Sequence, residues 1–149
     1  MAKTLPWLDE KYESFANYSD SIKEEYTAVR DYLVTETRKL DIPIRPIEPE
    51  GGYFLLADVS ECRDLVPKRY FESMEYEDGP TSIVKNDFGL PVPLDMAVCR
   101  WLMMEKRVTA MPATLFYAFD SQYKQDNIIR LGICRSMKSA VEAIKRLAK

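Results

Sequence analysis

The sequence predicts an α+β domain in which helices pack on one face of a small mixed or antiparallel sheet. The predicted elements follow the order helix, strand, strand, loop, helix, strand, strand, helix, which suits a layer of helices against such a sheet. The chain has 149 residues, of which 46% are hydrophobic and 30% charged. A chain of this size and composition forms a single domain with its own core.

The first helix is predicted over Ser19–Leu40, after a lead-in segment of residues 1–18. Prolines at positions 43, 46 and 49 prevent its continuation, so we expect it to end near Asp41. Its apolar residues recur in steps of three, four and seven, which is the stripe of an amphipathic helix: Ile22, Tyr26, Val29, Leu33 and Leu40.

Two strands are predicted next, a short edge strand at Ile44–Ile47 and a central strand at Tyr53–Val59. The second run is rich in aromatic and aliphatic residues and is of strand length. Gly51 and Gly52 precede it. Such a pair either makes the turn into the strand or lets backbone approach a ligand, and the turn is the simpler interpretation.

Residues 60–93 are predicted to form a long surface loop or insertion, although Arg69–Met74 is compatible with a short helix. Four carboxylates in this stretch could suggest a metal site, but a solvated loop edge is the more common origin of such a cluster. We therefore predict no metal site. The four residues are Glu72, Glu75, Glu77 and Asp78.

The remaining elements are a helix from Pro93 to about Lys106, strands at Val108–Met111 and Asn127–Cys134, and a last helix. Proline suits the first turn of a helix, and alternation indicates the strands. Ser139 and Glu142 have the spacing of a capping box. They are expected to start the last helix, whose apolar residues are Ala140, Ile144 and Leu147.

Charge and composition exclude several classes of partner. The 24 acidic and 21 basic residues give a net charge of -3, which argues against nucleic-acid binding. No apolar run approaches the roughly 20 residues of a membrane span, and no signal-peptide core is present. We expect a cytoplasmic or mitochondrial-matrix location and no membrane partner. Histidine is absent, and the three scattered cysteines are expected to be reduced, with Cys99 and Cys134 in the core.

Several segments resemble fold-type-I pyridoxal-phosphate aminotransferases of the kynurenine and glutamine transaminase type. Pro46–Asp58 resembles their P-x-G-G-Y-F-L-x-A-D stretch. Three further segments follow in the family's order, and Glu25–Asp31 resembles the helix that leads into the small domain. The resemblance covers nearly the whole chain apart from residues 60–93. The three further segments are Cys99–Leu102, Val108–Tyr117 and Ile129–Cys134.

The resemblance implies that the chain is the C-terminal small domain of such an enzyme and that Arg130 grips the α-carboxylate of the substrate. A guanidinium is always charged and offers two parallel donors to a planar carboxylate. Without the resemblance, Arg130 reads as an arginine at an exposed strand position. The Ala110–Ala113 loop is expected to face the substrate side chain, although the family often has Gly or Ser at Ala113. We assign Tyr53, Phe54 and Trp101 to core packing.

The lysine and aspartate motifs that hold pyridoxal phosphate in the family do not occur in these 149 residues. We therefore expect no catalytic or cofactor-binding residue here, and no activity or bound cofactor for the chain alone. In the full-length enzyme a large domain is expected to bind the cofactor, and that enzyme is expected to be a homodimer. Two alternatives stay open: a stand-alone ligand-binding or interaction domain derived from an aminotransferase, and a structural fragment. Lys68, Lys106 and Lys124 are expected to be surface lysines.

Overall fold

The computed structural model describes residues 10–72, 92–118 and 121–149. Within these ranges the chain forms three α-helices and four strands, and none of the described helices is long and apolar enough to cross a membrane. In chain order the elements are α1 (Tyr18–Thr37), β1 (Arg45–Ile47), β2 (Phe54–Asp58), α2 (Leu94–Trp101), β3 (Met111–Pro112), β4 (Ile128–Gly132) and α3 (Met137–Leu147).

The four strands form one antiparallel sheet in the order β1-β2-β4-β3. The predicted α+β class is therefore confirmed. The sequence left open a mixed or an antiparallel sheet, and the sheet is antiparallel. β2 is an inner strand, paired with β1 on one side and with β4 on the other. Its inner position confirms the prediction of a central strand at Tyr53–Val59.

The two faces of the sheet have different environments because side chains alternate along each strand. Leu55 and Ala57 of β2 are fully buried, as is Ile129 of β4, which lies opposite Ala57. The other face carries Leu56 and its partner Arg130. We call it the open face, because Leu56 is 40% exposed.

α1 begins at Tyr18, where the Asn17 side chain caps the helix by accepting a hydrogen bond from the Asp20 backbone N–H at 3.0 Å. It ends at Thr37, earlier than the predicted Leu40. The N–H of Leu40 bonds the carbonyl of Thr37 at 3.1 Å, so the last residues close in tighter, three-residue turns. The buried residues of the helix are Val29, Leu33, Val34 and Thr37.

α2 continues past Trp101 into a π-helical turn, Leu102–Lys106, so the predicted helical reach to Lys106 is confirmed. The next residue, Arg107, adopts a left-handed conformation with φ 57°. The N–H of Val108 then bonds the carbonyl of Leu102 at 3.0 Å. The Val108 N–H is used in this bond, which closes the helix, and is not available for strand pairing. The strand expected at Val108–Met111 therefore begins later than predicted. Pairing starts only at Met111 and includes Pro112, on an edge strand where proline is tolerated.

The prediction of a Ser139–Glu142 capping box for the last helix was wrong. The N-cap is Ser136, whose backbone is extended and whose hydroxyl accepts from the Ser139 N–H at 3.4 Å. Glu142 lies inside the helix and accepts from Arg146 Nε at 2.9 Å, four residues further on. The helix therefore starts at Met137, one turn earlier than the pattern indicated.

The described part of the expected surface loop packs against α2. Cys62, Val66 and Tyr70 are buried. Glu105, at the end of the π-helical turn, accepts a hydrogen bond from the Tyr70 hydroxyl at 3.0 Å and one from Trp101 Nε1 at 3.2 Å. Residues 60–72 include two short 3₁₀ turns, Ser60–Cys62 and Lys68–Phe71, and the second overlaps the short helix considered at Arg69–Met74. Most side chains of this stretch are exposed. Residues 73–91 lie outside the described part of the chain.

The described cysteines are all free thiols, but they occupy different environments. Cys62 and Cys99 are buried, and burial raises the pKa of the Cys62 thiol to about 11. Cys134 is exposed, so its assignment to the core was wrong. It follows the end of β4, where the chain leaves the sheet for α3.

A pair of neighbouring substitutions on β2 tests the two faces. Leu55→Ala removes a fully buried side chain and should lower the free energy of unfolding by about 2–5 kcal/mol. Leu56→Ala, on the open face, should change it by about 0.5 kcal/mol or less. Chemical denaturation of both variants measures the difference. Equal losses would contradict the burial pattern of the sheet.

Candidate functional site

Arg130 lies near the middle of the open face. On β4 it is opposite Leu56 of β2 and Met111 of β3. The alternation that buries its neighbour Ile129 directs Arg130 away from the helices. A long cationic side chain on this face can therefore meet a molecule from outside the domain.

Two aromatic rings lie close to the Arg130 guanidinium. Its central carbon, Cζ, lies 4.0 Å from the ring centre of Phe54 and 4.2 Å from that of Phe116. We call these two residues the aromatic clamp. Each ring attracts the cation by its electron-rich face and offers no hydrogen-bond acceptor. The clamp therefore holds the guanidinium without using its donors.

The Arg130 donors are not satisfied by the described residues. Nε is buried and has no hydrogen-bond partner among them. Nη2 lies 3.2 Å from the Met111 Sδ atom, which is only a weak acceptor. A buried unpaired donor costs about 1–3 kcal/mol, and more when it is charged. The side chain is therefore prepared to bind an acceptor.

Phe116 is placed over Arg130 by a short 3₁₀ turn, Ala113–Phe116. Asp95, in the first turn of α2, anchors this turn through Thr114. Asp95 Oδ2 accepts from the Thr114 N–H at 2.8 Å, and Oδ1 accepts from the Thr114 hydroxyl at 3.1 Å. Both residues are buried. One side of the clamp therefore depends on a helix that is distant in sequence.

The same helix start is tied to β4 through Asp126. Pro93 supplies no side-chain cap to α2. Instead, Asp126 Oδ2 accepts from the Leu94 N–H at 3.1 Å, and the Asp126 carbonyl accepts from the Asp95 N–H at 2.7 Å. Asp126 lies two residues before the start of β4, so α2, the 113–116 turn and the strand carrying Arg130 meet at one junction.

Burial raises the pKa of the Asp95 carboxyl above its ordinary value, and the nearby charge of Asp126 adds to this. Hydrogen bonds from Thr114 and from the Met96 N–H oppose the shift because they favour the ionised form. Desolvation is the larger effect. The junction therefore contains a carboxylate whose ionisation is harder in the folded chain than in the unfolded chain.

The structure separates three aromatic residues that the sequence assigned together to the core. Trp101 is buried, as expected, but Tyr53 and Phe54 are exposed, at 59% and 40%. Phe54 begins β2 with its side chain on the open face. Tyr53 packs edge to face with Tyr26, with ring centres 5.8 Å apart. Gly52 has φ 85°, which fits the turn into β2.

The other candidates have ordinary surroundings. In the described ranges, no group of three or more potential metal ligands is found. Glu72 is exposed, and the other three acidic residues of its cluster lie outside those ranges. Lys68 and Lys124 are exposed, and Lys106 lies 5.6 Å from the ring centre of Trp101. None of these lysines has an enclosed environment.

Sequence reasoning missed Asp95, Thr114 and Phe116. Asp95 looks like an acidic residue in the first turn of a helix, which is common for electrostatic reasons alone. Nothing in a single sequence shows that its partner is Thr114. Met111 was included in the Ala110–Ala113 loop, and it does contact Arg130. The role of that loop towards a substrate side chain stays a prediction.

The chain has homologues among the kynurenine–oxoglutarate transaminases. It is 25% identical over 145 residues to human kynurenine–oxoglutarate transaminase 3, which covers 96% of the chain and 27% of the relative. It is 26% identical over 101 residues to human kynurenine–oxoglutarate transaminase 1, which covers 68% of the chain and 19% of the relative. No family model matches the chain.

Solved aminotransferase structures share the fold. Bna3p of Saccharomyces cerevisiae superposes with a TM-score of 0.62 at 24% identity, covering 88% of the chain and 27% of Bna3p. YbdL of Escherichia coli, described with a methionine aminotransferase function, has a TM-score of 0.53 at 24% identity. That match covers 84% of the chain and 24% of YbdL. The aspartate aminotransferase of Rhizobium meliloti has a TM-score of 0.58 at 16% identity, with coverage of 91% and 27%.

The chain is thus related to the fold-type-I pyridoxal-phosphate aminotransferases and has the α+β fold of their small domain. It spans about a quarter of the length of the curated relatives that it matches. The activity, substrates and partners of those whole proteins therefore concern far more chain than is present here.

The raised pKa of Asp95 predicts a pH-dependent effect of Asp95→Asn. An acid with a raised folded pKa contributes most to stability below its unfolded pKa, near 3.8, and loses that contribution as the pH rises through the folded value. Asparagine does not titrate. The stability difference between the parent and Asp95→Asn should therefore shrink from about pH 3 to about pH 7. Urea denaturation across this range measures it, and a difference that grows with pH would contradict the sign of the shift.

Proposed function

We propose that the chain is the C-terminal substrate-clamping domain of a pyridoxal-phosphate-dependent aminotransferase that acts on an amino acid and 2-oxo acid pair. The main support for the proposal is the environment of the Arg130 side chain. Its guanidinium lies close to two aromatic rings on the open face, and its Nε is buried with no partner among the described residues. The resemblance to kynurenine–oxoglutarate transaminases supports that type of substrate pair.

A substrate carboxylate matches the donors that Arg130 presents. Nε and one terminal nitrogen of a guanidinium lie along one edge and point in parallel, which suits the two oxygens of a carboxylate. Phe54 and Phe116 lie close to the cation and supply no hydrogen-bond acceptor, so they do not compete with a carboxylate for these donors. No described acidic side chain pairs with Arg130, so a substrate does not have to displace an internal partner.

We also propose that the cofactor is bound outside this chain. Pyridoxal phosphate supplies an electron sink for amino-acid chemistry when it is bound. A Schiff-base lysine needs a desolvated or otherwise perturbed setting, whereas Lys68 and Lys124 are exposed. We therefore assign cofactor binding to a large domain and expect this chain alone to be inactive. The part played by Arg130 is to bind the carboxylate and to fix its orientation.

The open face also supplies a surface for that large domain. Five exposed apolar side chains lie on or beside it, and an apolar cluster of this kind marks an interaction surface. The cluster includes Met111 of the predicted Val108–Met111 strand. In the full-length enzyme, which we propose to be a homodimer, the large domain would cover it. The five residues are Ile47, Phe54, Leu56, Met111 and Phe116.

Substitution of Arg130 tests this function in the enzyme that joins this chain to its cofactor domain. Removing one partner of a buried, hydrogen-bonded charge pair costs on the order of 2–5 kcal/mol, so Arg130→Ala should lower kcat/KM by roughly two to three orders of magnitude. Arg130→Lys should recover only part of the loss, because an ammonium lacks the planar fork. Steady-state kinetics with several amino acids measure both effects.

The matched control is Arg135→Ala, which removes an exposed arginine beyond the end of β4. It should leave kcat/KM within about twofold of the parent, as expected for a surface position. Cofactor absorbance should be the same in all variants. If Arg130→Ala behaves like Arg135→Ala for every amino acid tested, Arg130 is not the carboxylate-binding residue.

A further inference from the structure

Asp95 is a fully buried carboxylate whose two oxygens are both used. Oδ2 accepts from the Thr114 N–H at 2.8 Å. Oδ1 accepts from the Thr114 hydroxyl at 3.1 Å and from the Met96 N–H at 2.8 Å. Asp95 has no exposed surface, and Thr114 is 6% exposed. The carboxylate therefore joins the start of α2 to a turn that is 19 positions away in sequence.

Burying a carboxylate to make this connection costs free energy. Desolvation disfavours its charge, and a well-packed apolar side chain at such a position often gives equal or greater stability. The two hydrogen bonds to Thr114 offset that cost only while the 113–116 turn keeps its present conformation. What Asp95 provides is therefore a fixed geometry for this turn rather than core stability.

The orientation of Phe116 depends on that turn. Phe116 is 57% exposed, so little core packing holds its ring in place. Its backbone is set instead by the 3₁₀ turn, in which the Tyr117 N–H bonds the Thr114 carbonyl at 3.4 Å. Thr114 is the buried residue of this turn. The ring position over Arg130 therefore follows from the position of Thr114.

Asp95 is connected to Arg130 from the other side as well. Its N–H donates to the Asp126 carbonyl at 2.7 Å, and Asp126 lies in the segment that leads directly into β4. One residue thus contacts both segments that build the site, the turn with Phe116 and the approach to the strand with Arg130. The ring of Phe116 and the Arg130 guanidinium, 4.2 Å apart, therefore belong to two segments that Asp95 connects.

We propose that Asp95 is a positioning residue of the carboxylate site, acting through Thr114 and Phe116 to hold the position of the Arg130 guanidinium. The inference rests on the function proposed for Arg130. Asp95 touches neither Arg130 nor, in this proposal, the substrate. Asp95 affects binding because it fixes the position of Phe116 in the aromatic clamp before a carboxylate binds.

The test follows the Arg130 Nε–H signal in the ligand-free chain by nitrogen-edited NMR. The two rings close to the guanidinium give this proton a ring-current shift, and Phe116→Leu, which removes one ring, sets the reference for its loss. Asp95→Asn keeps the shape but cannot accept both bonds from Thr114. It should move the signal towards the Phe116→Leu position, and so should Thr114→Val. Thr114→Ser, which keeps the hydroxyl, should retain the parent position.

Cys99→Ala is the matched control for a general loosening of α2. Cys99 is buried on the same helix and has no part in the turn. The variant should lower thermal stability but leave the Arg130 Nε–H signal in place. All spectra are recorded well below each unfolding midpoint, so that the signal reports the folded chain. If Asp95→Asn fails to fold, Thr114→Val decides the question alone.

Titration with propionate, a simple carboxylate, separates this inference from the proposed function. Asp95→Asn and Thr114→Val should bind it roughly two- to tenfold more weakly than the parent, because ordering a loosened side chain costs about 0.5–1.5 kcal/mol. An Arg130 signal at the parent position in both variants overturns the positioning role. If the signal moves as expected but the parent chain does not bind propionate, the positioning role stands and the carboxylate function falls.

Discussion

The contact of the Arg130 guanidinium with Phe54 and Phe116 is the interaction on which the site depends. It requires three separately folded parts to be correct at once. β2 must present Phe54 on the open face, β4 must present Arg130 beside it, and the 113–116 turn must bring Phe116 close to the guanidinium. The antiparallel register of β2 and β4 provides the first two. The buried carboxylate of Asp95 provides the third.

The sheet separates stability from function by its two faces. The inner face, with Leu55 and Ile129, is fully buried and holds the fold together. The open face exposes aromatic and aliphatic side chains that contribute little to the stability of the chain by itself. They surround the one cation of β4 and lower its access to water, which strengthens its attraction for an anion. An arginine without a hydrogen-bond partner for its Nε and an exposed apolar surface are both expected of a domain that packs against another domain.

Much of the fold was predictable because it is encoded locally. The apolar spacing of α1, the composition of β2 and the proline before α2 each predicted an element in nearly the right place. Arg130 came from a resemblance carried by a few short motifs. The failures share a physical reason. Tyr53 and Phe54 were assigned to the core because aromatic residues are buried on average, although strand alternation directs Phe54 outward. The Asp95–Thr114 connection joins distant residues, so no local pattern indicates it.

We propose that the unpartnered donors of Arg130 bind a carboxylate. A crystal structure of the chain grown with pyruvate, a 2-oxo acid, measures this most directly. We expect two parallel hydrogen bonds from Arg130, one from Nε and one from a terminal nitrogen, to the two carboxylate oxygens at about 2.7–2.9 Å. The guanidinium should stay close to Phe54 and Phe116. Pyruvate bound elsewhere, with Nε still unpartnered, would show that Arg130 does not bind the carboxylate.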